Sequence, residues 1–532
     1  MSQAHQPLVP PAGGVAVRMY RQGLGDCFLL AFAAARRKRP AYVLIDCGVH
    51  RSQTSGNANL RSIVADIVAT TGGRLDVLVA THQHTDHLSG FVTEARQFVR
   101  KKLRIGRLWL GWTEDLSDPV AEQLGRPRRA AQQALEAALE KLEQKAAEPA
   151  LAGHDLAALA LHSRLDAARS FFELSQEGSK QSLPALAARV GLNDPTKATG
   201  PEVALAVLKK YARTIQYLRP GGAPVAIPGV RGARAYILGP PADVALLRKS
   251  NPSSGSRQET YLTESTDLLS FAAAAVGQRD EPEDAASSEQ GPNYANERCN
   301  PFSEQHRVSY QDACEREFFQ EHYGLGEPGH KQAWRQIESD WLFTADALGL
   351  DLDNHTNNTS LALAFEVGSP GRGRVLLFAA DAQVGSWLSW GDLVWTGKKP
   401  ITVTDLFSRT VLYKVGHHAS HNATLKRDRN QHPYGLERMP GGLVAMIPVD
   451  AAVARKLPGW HMPDPRLYAA LEKKAGGRIL RSDDHPAGGP TTEPTAVPGV
   501  PGAQWRSSLA TKVARDQPLY YDLMLAPRDS NS

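Results

Sequence analysis

The chain has 532 residues, more than one compact core usually requires, so the length itself predicts two domains or one domain with large insertions. Its apolar and charged fractions are those of an ordinary globular protein, which excludes fibrous, low-complexity and wholly disordered classes. A net charge of +5 is mild over this length; it admits a polyanionic substrate without demanding one.

The first hundred residues read as short strands punctuated by Gly and Asp. Val15 to Tyr20 alternates as a strand, Gly23-Leu24-Gly25-Asp26 is a turn, and Cys27 to Phe32 and Ala41 to Ile45 are two further strands, the last closed by Asp46-Cys47-Gly48. Cys27 and Cys47 each lie in an apolar run and read as small core residues. With Cys299 and Cys314 they form no CxxC pair and no disulfide framework. The basic clusters Arg36-Arg37-Lys38-Arg39 and Arg100-Lys101-Lys102 read as solvated loops or helix ends. Leu60 to Ala69 is helical. Leu75 to Ala80, apolar except for Asp76, reads as a strand buried on both faces.

Composition then changes. Pro119 to Leu218 is rich in Ala, Leu, Glu, Gln, Lys and Arg at helical spacing, with the clearest helices at Ala130–Ala147 and Leu156–Leu174, and strands return only at Val230 to Leu238. Asn251 to Cys299 is polar and rich in Ser, Glu, Asp and Pro, the composition of a partly disordered segment, and 300–350 reads as amphipathic helix. Strand-like runs resume at Ser360–Val367, Arg374–Ala379, Thr410–Val415 and Leu443–Pro448. A helix follows at Pro465–Lys474, then strands at Arg478–Arg481 and Leu519–Leu525. The expected organisation is a sheet-bearing first half over 1–117, a helical insertion over 118–215, returning strands over 216–250, a polar and partly helical insertion over 251–350, and a second sheet-bearing half over 351–532. No apolar stretch has the length of a membrane span and the start has no leader-like pattern, so a cytoplasmic protein with no membrane partner is expected.

The chemistry concentrates at Thr81-His82-Gln83-His84-Thr85-Asp86-His87, directly after the buried strand at Leu75–Ala80. Three imidazoles and a carboxylate in so short a run suit zinc, iron or manganese. In an extended backbone His82 and His84 point the same way, while Asp86 and His87 turn toward a neighbouring position, so two adjacent ions are the natural occupants. Two later strands end in further candidates: Val375 to Ala380 in Asp381, and Val411 to Gly416 in His417-His418-Ala419-Ser420-His421.

In this order, the turn at Gly23–Asp26, the Leu44-Ile45-Asp46-Cys47-Gly48 segment, the histidine run, Asn357-Asn358-Thr359-Ser360, the strand ending in Asp381 and Val415-Gly416-His417-His418-Ala419-Ser420 resemble the metallo-β-lactamase superfamily. The resemblance is to the branch that holds the hydrolase domain of the bacterial DNA-uptake channel protein and pneumococcal phosphorylcholine esterase. It covers roughly 15–115, 215–245 and 355–485. It implies an α/β (α+β) fold, an αββα sandwich carrying a large helical insertion. It further implies two divalent ions, zinc favoured and manganese admissible: one on His82 and His84, the other on Asp86, His87 and His417, with Asp381 bridging. His418 would touch substrate, with the roles of His417 and His418 open to exchange; Asp46 would orient a ligand histidine, and Asp26 would sit near the site or serve its turn. Many members place one more histidine where this chain has Gly239-Pro240-Pro241; His355 is the nearest stand-in.

The reaction class expected is hydrolysis by a metal-bound hydroxide, with phosphodiesterase or nuclease activity favoured and with Asp86, His418 and His461 as the catalytic set. Nucleic acid is then an admissible partner. Two other readings stand beside it: an effector or scaffold of a multi-protein defence system that binds a protein partner through the helical insertion, and a small-molecule ester or lactone hydrolase with that insertion as its lid.

Overall fold

A computed structural model of the chain describes residues 7–34, 39–53, 56–126, 129, 183–195, 198–249, 308, 310–323, 355–397, 399–422, 424–426, 432–456, 460, 462–484, 509–514 and 517–527. The expected helices at Ala130–Ala147 and Leu156–Leu174, the polar segment Asn251–Cys299, and His461 lie outside the described residues. Two compact units divide the chain. The described part of the smaller holds two short helices, Tyr310–Glu315 and Glu317–Tyr323, with the rings of Phe318, Phe319, His322 and Tyr323 clustered on the second.

The larger unit carries every described strand. In chain order these are β1 (Val15–Tyr20), β2 (Phe28–Phe32), β3 (Ala41–Ile45), β4 (Arg74–Val79), β5 (Arg104–Gly111), β6 (Ala212–Leu218), β7 (Val225–Ala226), β8 (Ala233–Ile237), β9 (Leu363–Val367), β10 (Arg374–Phe378), β11 (Val394–Trp395), β12 (Ile401–Thr402), β13 (Thr410–Lys414), β14 (Val444–Ile447), β15 (Ile479–Arg481), β16 (Leu509–Ala514) and β17 (Gln517–Leu525). Among the described residues they build an eight-stranded sheet in the order β16-β17-β1-β2-β3-β4-β5-β6 and a seven-stranded sheet in the order β15-β14-β13-β10-β9-β8-β7, with β11 and β12 a separate ribbon. Each sheet is mixed. The first is antiparallel from β16 to β3 and parallel from β3 to β6. The second is parallel from β15 to β10 and antiparallel from β10 to β7.

Period-two alternation explains the layering. Val17, Met19, Phe28, Leu30, Val43, Ile45, Val77 and Val79 from the first sheet meet Ile237, Phe365, Leu376, Phe378, Leu412 and Met446 from the second in one apolar layer. Phe28 sits edge-on to Phe378 with ring centroids 5.5 Å apart. The alternate residues face outward and are covered by helices. On the first sheet α1 (Gly56–Thr71), α2 (Thr85–Thr93) and the helix Gly200–Tyr211 supply Ile63, Ile67, Leu88, Val203 and Val207. On the second, the helices Val384–Trp390, Val403–Phe407 and Pro465–Ala475 supply Trp387, Trp390, Leu406, Phe407 and Leu471. Strands apolar on both faces are what such a four-layer arrangement requires, and a buried side chain of this size contributes about 1.5–3 kcal/mol.

Strands return earlier than Val230. The helix Gly200–Tyr211, entered through a Thr199–Glu202 capping box, runs directly into β6, which pairs with β5, and these residues belong to the unit that holds the sheets. Ala212-Arg-Thr-Ile-Gln-Tyr-Leu218 follows the helix without a turn residue, so its strand character is hidden behind the preceding helical spacing. No helix among the described residues is long and apolar enough to cross a membrane.

Two buried ion pairs made by one arginine tie β1 to β17 and to α1. Arg18 on β1 faces the helix side, donating from Nε and Nη2 to Asp522 on β17 at 2.7 Å each and from Nη1 to Asp66 on α1 at 2.7 Å, with the Tyr520 ring 3.5 Å beneath its guanidinium.

Candidate metal centre

The candidate ligands all sit at one end of the sheets. Asp46 follows β3, the histidine run follows β4, Asp381 follows β10, and His417-His418 follow β13, so each lies beyond the carboxyl end of a strand; in α/β sheets ligands bind there. Asp26 precedes β2, which runs antiparallel to β3, and therefore reaches the same end.

Several of these residues hold left-handed backbone: Asp46 at φ 53°, Ala380 at 50°, His417 at 40°, His418 at 49° and Ala419 at 65°. Such conformations cost about 1–3 kcal/mol each in non-glycine residues and gather where a site must be held to shape. Two glycines allow the loops to close on Asp86. A Cβ on Gly48 would lie 2.3 Å from the Asp86 carbonyl carbon and 2.4 Å from the His87 nitrogen, and one on Gly25 would lie 2.6 Å from the Asp86 oxygen.

The metal-facing atoms converge. His82 Nε2 lies 3.0 Å from His84 Nδ1 and 4.0 Å from Asp381 Oδ2. The same carboxylate oxygen is 3.2 Å from His87 Nε2 and 3.6 Å from His418 Nε2. Asp86 Oδ2 is 2.9 Å from His418 Nε2 and 3.7 Å from His87 Nε2. Asp26, His87, Asp381 and His418 form one buried group whose ligand atoms lie within 4.8 Å of one another, so a metal ion fits among them.

Behind this front three of the rings are held by their other nitrogen. His87 Nδ1 is 2.8 Å from Asp46 Oδ2, and His418 Nδ1 is 2.7 Å from the Pro448 carbonyl oxygen, so both rings donate from Nδ1 and turn Nε2 inward. His87 Nε2 faces the Asp381 and Asp86 carboxylates at 3.2 Å and 3.7 Å. Asp46 is itself fixed by the Thr81 backbone N–H at 2.8 Å and the Thr81 hydroxyl at 2.7 Å. His82 Nδ1 rests 3.0 Å from that hydroxyl and 3.3 Å from the Ser360 hydroxyl.

The electrostatics divide the set. Burial holds His84 at a pKa of about 4 and His82 well below the ordinary histidine value, so both are neutral at physiological pH. Burial would lower His87 too, but Asp381, Asp86, Asp26 and Asp46 together raise it well above its usual value. His418 is raised against burial by Asp381 and Asp86. Burial pushes Asp86 and Asp381 upward, and in each case His87 and His418 outweigh it and hold the carboxyl well below its ordinary range.

Lys414, the last residue of β13, went unread in the sequence. Leu412 points between the sheets, so Lys414 does as well, and its buried ammonium lies 2.5 Å from Asp26 Oδ2, 3.0 Å from the Ala380 carbonyl and 3.4 Å from Asp381 Oδ1. Burial lowers its pKa, but Asp26 and Asp381 outweigh that and raise it, so it is a fixed cation. It engages Asp381 Oδ1 while Oδ2 faces the imidazoles.

The structure brings together five of the sequence-predicted ligands, His82, His84, Asp86, His87 and Asp381, and adds His418 in place of His417. His417 is buried, but its Nε2 lies 3.4 Å from Asn357 Nδ2 and its Nδ1 3.4 Å from Asn422 Oδ1. The left-handed turn carries the second histidine of the pair into the group with Asp26, His87 and Asp381. His355 begins a short helical turn and is half-buried. A cavity of about 660 Å³ has Arg21, Gln53, Asp450, Arg455, Met462 and Arg481 among its walls, and none of the candidate ligands lines it. No family model and no curated protein matches the sequence.

Proposed function

We propose that the chain is a metal-dependent hydrolase of the metallo-β-lactamase fold with a two-metal centre, and that phosphodiesters, nucleic acid among them, are its favoured substrates. The observation that supports this reading is the convergence of His82 Nε2, His84 Nδ1, His87 Nε2, His418 Nε2 and the carboxylates of Asp86 and Asp381, with the outer nitrogens of His87 and His418 held by Asp46 and Pro448. The preference for phosphodiesters rests on the sequence resemblance alone. The two sheets packed face to face with helices outside are compatible with the fold it implies.

The donor set is mostly imidazole with two inward carboxylates, which suits zinc first and manganese second. Metal ions in such a cage make water nucleophilic at neutral pH and stabilise charge on the attacked group. His82 and His84 would hold one ion, and Asp86, His87 and His418 the other. Asp381 Oδ2, within 4.0 Å of His82, His87 and His418, would serve both. Asp46 orients His87 through Nδ1, and Lys414 keeps Asp381 in one rotamer by engaging Oδ1.

The test is the full chain reconstituted with zinc or manganese and assayed on bis(p-nitrophenyl) phosphate, single-stranded DNA, RNA and a lactone. Diester hydrolysis is expected, and Asp86→Ala should abolish it with the fold retained. Equal turnover by that variant at matched metal content, or no diester turnover by the wild type, contradicts the proposal.

A further inference from the structure

His50 lies in the loop after β3, outside the set of metal ligands, and is buried at 3% exposure. The Ser52 backbone N–H donates to its Nδ1 at 3.3 Å, which makes Nδ1 an acceptor and puts the ring hydrogen of the neutral imidazole on Nε2. Burial holds the ring at a pKa of about 4, so it is neutral at physiological pH. Nε2–H is thus a buried donor, and no acceptor meets it among the described residues. An unmet buried donor is costly, and one kept in a native structure calls for a partner that meets it.

The loop gives the ring little freedom to escape that cost. The His50 backbone N–H donates to Leu24 O at 2.7 Å, the Gln53 N–H to His50 O at 3.0 Å, and the neighbouring Val49 N–H to the Ser89 hydroxyl at 2.9 Å. Trp460 flanks the ring with centroids 5.3 Å apart. Gly48, two residues earlier, is pressed against the Asp86 backbone. The loop's backbone is bound to the candidate ligand segments, Cys47 N–H donating to His87 O at 2.9 Å and Gly48 N–H to Asp26 O at 3.0 Å, and Asp86 and His418 act electrostatically on the imidazole.

We propose that His50 is a substrate-binding residue whose Nε2–H donates to an oxygen of the anionic group bound at the metal centre, a non-bridging phosphoryl oxygen for the substrate class proposed above. The inference rests on that metal-centre reading. It assigns His50 a hydrogen bond, with no proton transfer and no metal contact.

The experiment uses the zinc-loaded full chain and inorganic phosphate as probe, titrated by calorimetry, comparing wild type with His50→Met and His50→Gln. The two replacements match in length, so both disturb packing alike, and only Gln restores a donor. Zinc content and thermal midpoint are measured alongside. The expected result is phosphate binding weakened about tenfold or more in His50→Met, the range for one hydrogen bond to a charged acceptor, with His50→Gln recovering most of it at equal zinc content. Phosphate binding unchanged in His50→Met, or equally weakened in both variants, overturns the inference, as does a zinc-loaded wild type that binds no phosphate. A wild type that takes up no zinc defeats the metal centre itself and this inference with it; a wild type that binds zinc and phosphate but hydrolyses nothing defeats only the proposed activity.

Discussion

Replacing Lys414 by Met removes the one ammonium that meets both Asp26 and Asp381, each about 1% exposed. In the metal-free chain those carboxylates would then face Asp86 and Asp46 with no cation but the imidazolium character of His87 and His418. Leaving a buried charge uncompensated costs about 3–5 kcal/mol. For a unit of this size about 2 °C of thermal midpoint is lost per kcal/mol, so in a chelator Lys414→Met should melt about 6–10 °C below wild type. With zinc bound, divalent cations face the same carboxylates, and the deficit should shrink to under about half. The assay is thermal unfolding of wild type, Lys414→Met, Asp26→Asn and the double variant, each in chelator and in zinc. The Asp26→Asn background removes the charge that Lys414 balances, so the double variant should be more stable than Lys414→Met alone. A chelator midpoint for Lys414→Met within about 2 °C of wild type, which is about 1 kcal/mol, or a double variant no better than it, would refute the reasoning.

Arg18→Met strands the buried Asp522 and Asp66 carboxylates and should cost about 3–5 kcal/mol while leaving metal uptake per folded chain unchanged; thermal unfolding with metal analysis checks both halves. Zinc binding should release protons, because the raised pKa values of His87 and His418 mean that each is protonated in the metal-free chain near neutrality and must lose that proton from Nε2 to ligate. Loading should therefore tighten as pH rises and weaken as it falls. Calorimetry at neutral pH in buffers of different ionisation enthalpy should show a net release of protons on zinc binding; no release would contradict the protonation of His87 and His418. Gly48→Ala drives a Cβ into the Asp86 and His87 backbone; such overpacking typically costs about 1–3 kcal/mol, and zinc content should fall with it.

The strands that the sequence made legible are those largely apolar on both faces: β3, β4, β10 and β13 lie between a helix layer and the opposite sheet, and in β4 the one interior charge, Asp76, is met by Arg39 and the Tyr42 N–H. β5 escaped notice because Arg104, Gly106 and Arg107 break its pattern, although Leu108, Trp109 and Leu110 are fully buried. β6 lies at the edge of its sheet, beyond β5, where exposed Arg213, Thr214 and Ile215 give no apolar alternation to read. The histidine run was legible because its ligands are neighbours in sequence. Lys414 was not, since its meaning depends on Asp26, brought to it only by the pairing of two sheets. His417 and His418 are equivalent on paper; the left-handed backbone that separates their directions carries no glycine to announce it.

The most direct test of the metal centre is zinc-edge anomalous diffraction from crystals of the zinc-loaded chain. Two peaks are expected about 3.5–4 Å apart, one within about 2.0–2.2 Å of His82 Nε2 and His84 Nδ1 and the other equally close to His87 Nε2, His418 Nε2 and Asp86, with Asp381 Oδ2 between them. No peak among these side chains, or a single ion coordinated by His417 with His418 still bound to Asp86, would contradict it.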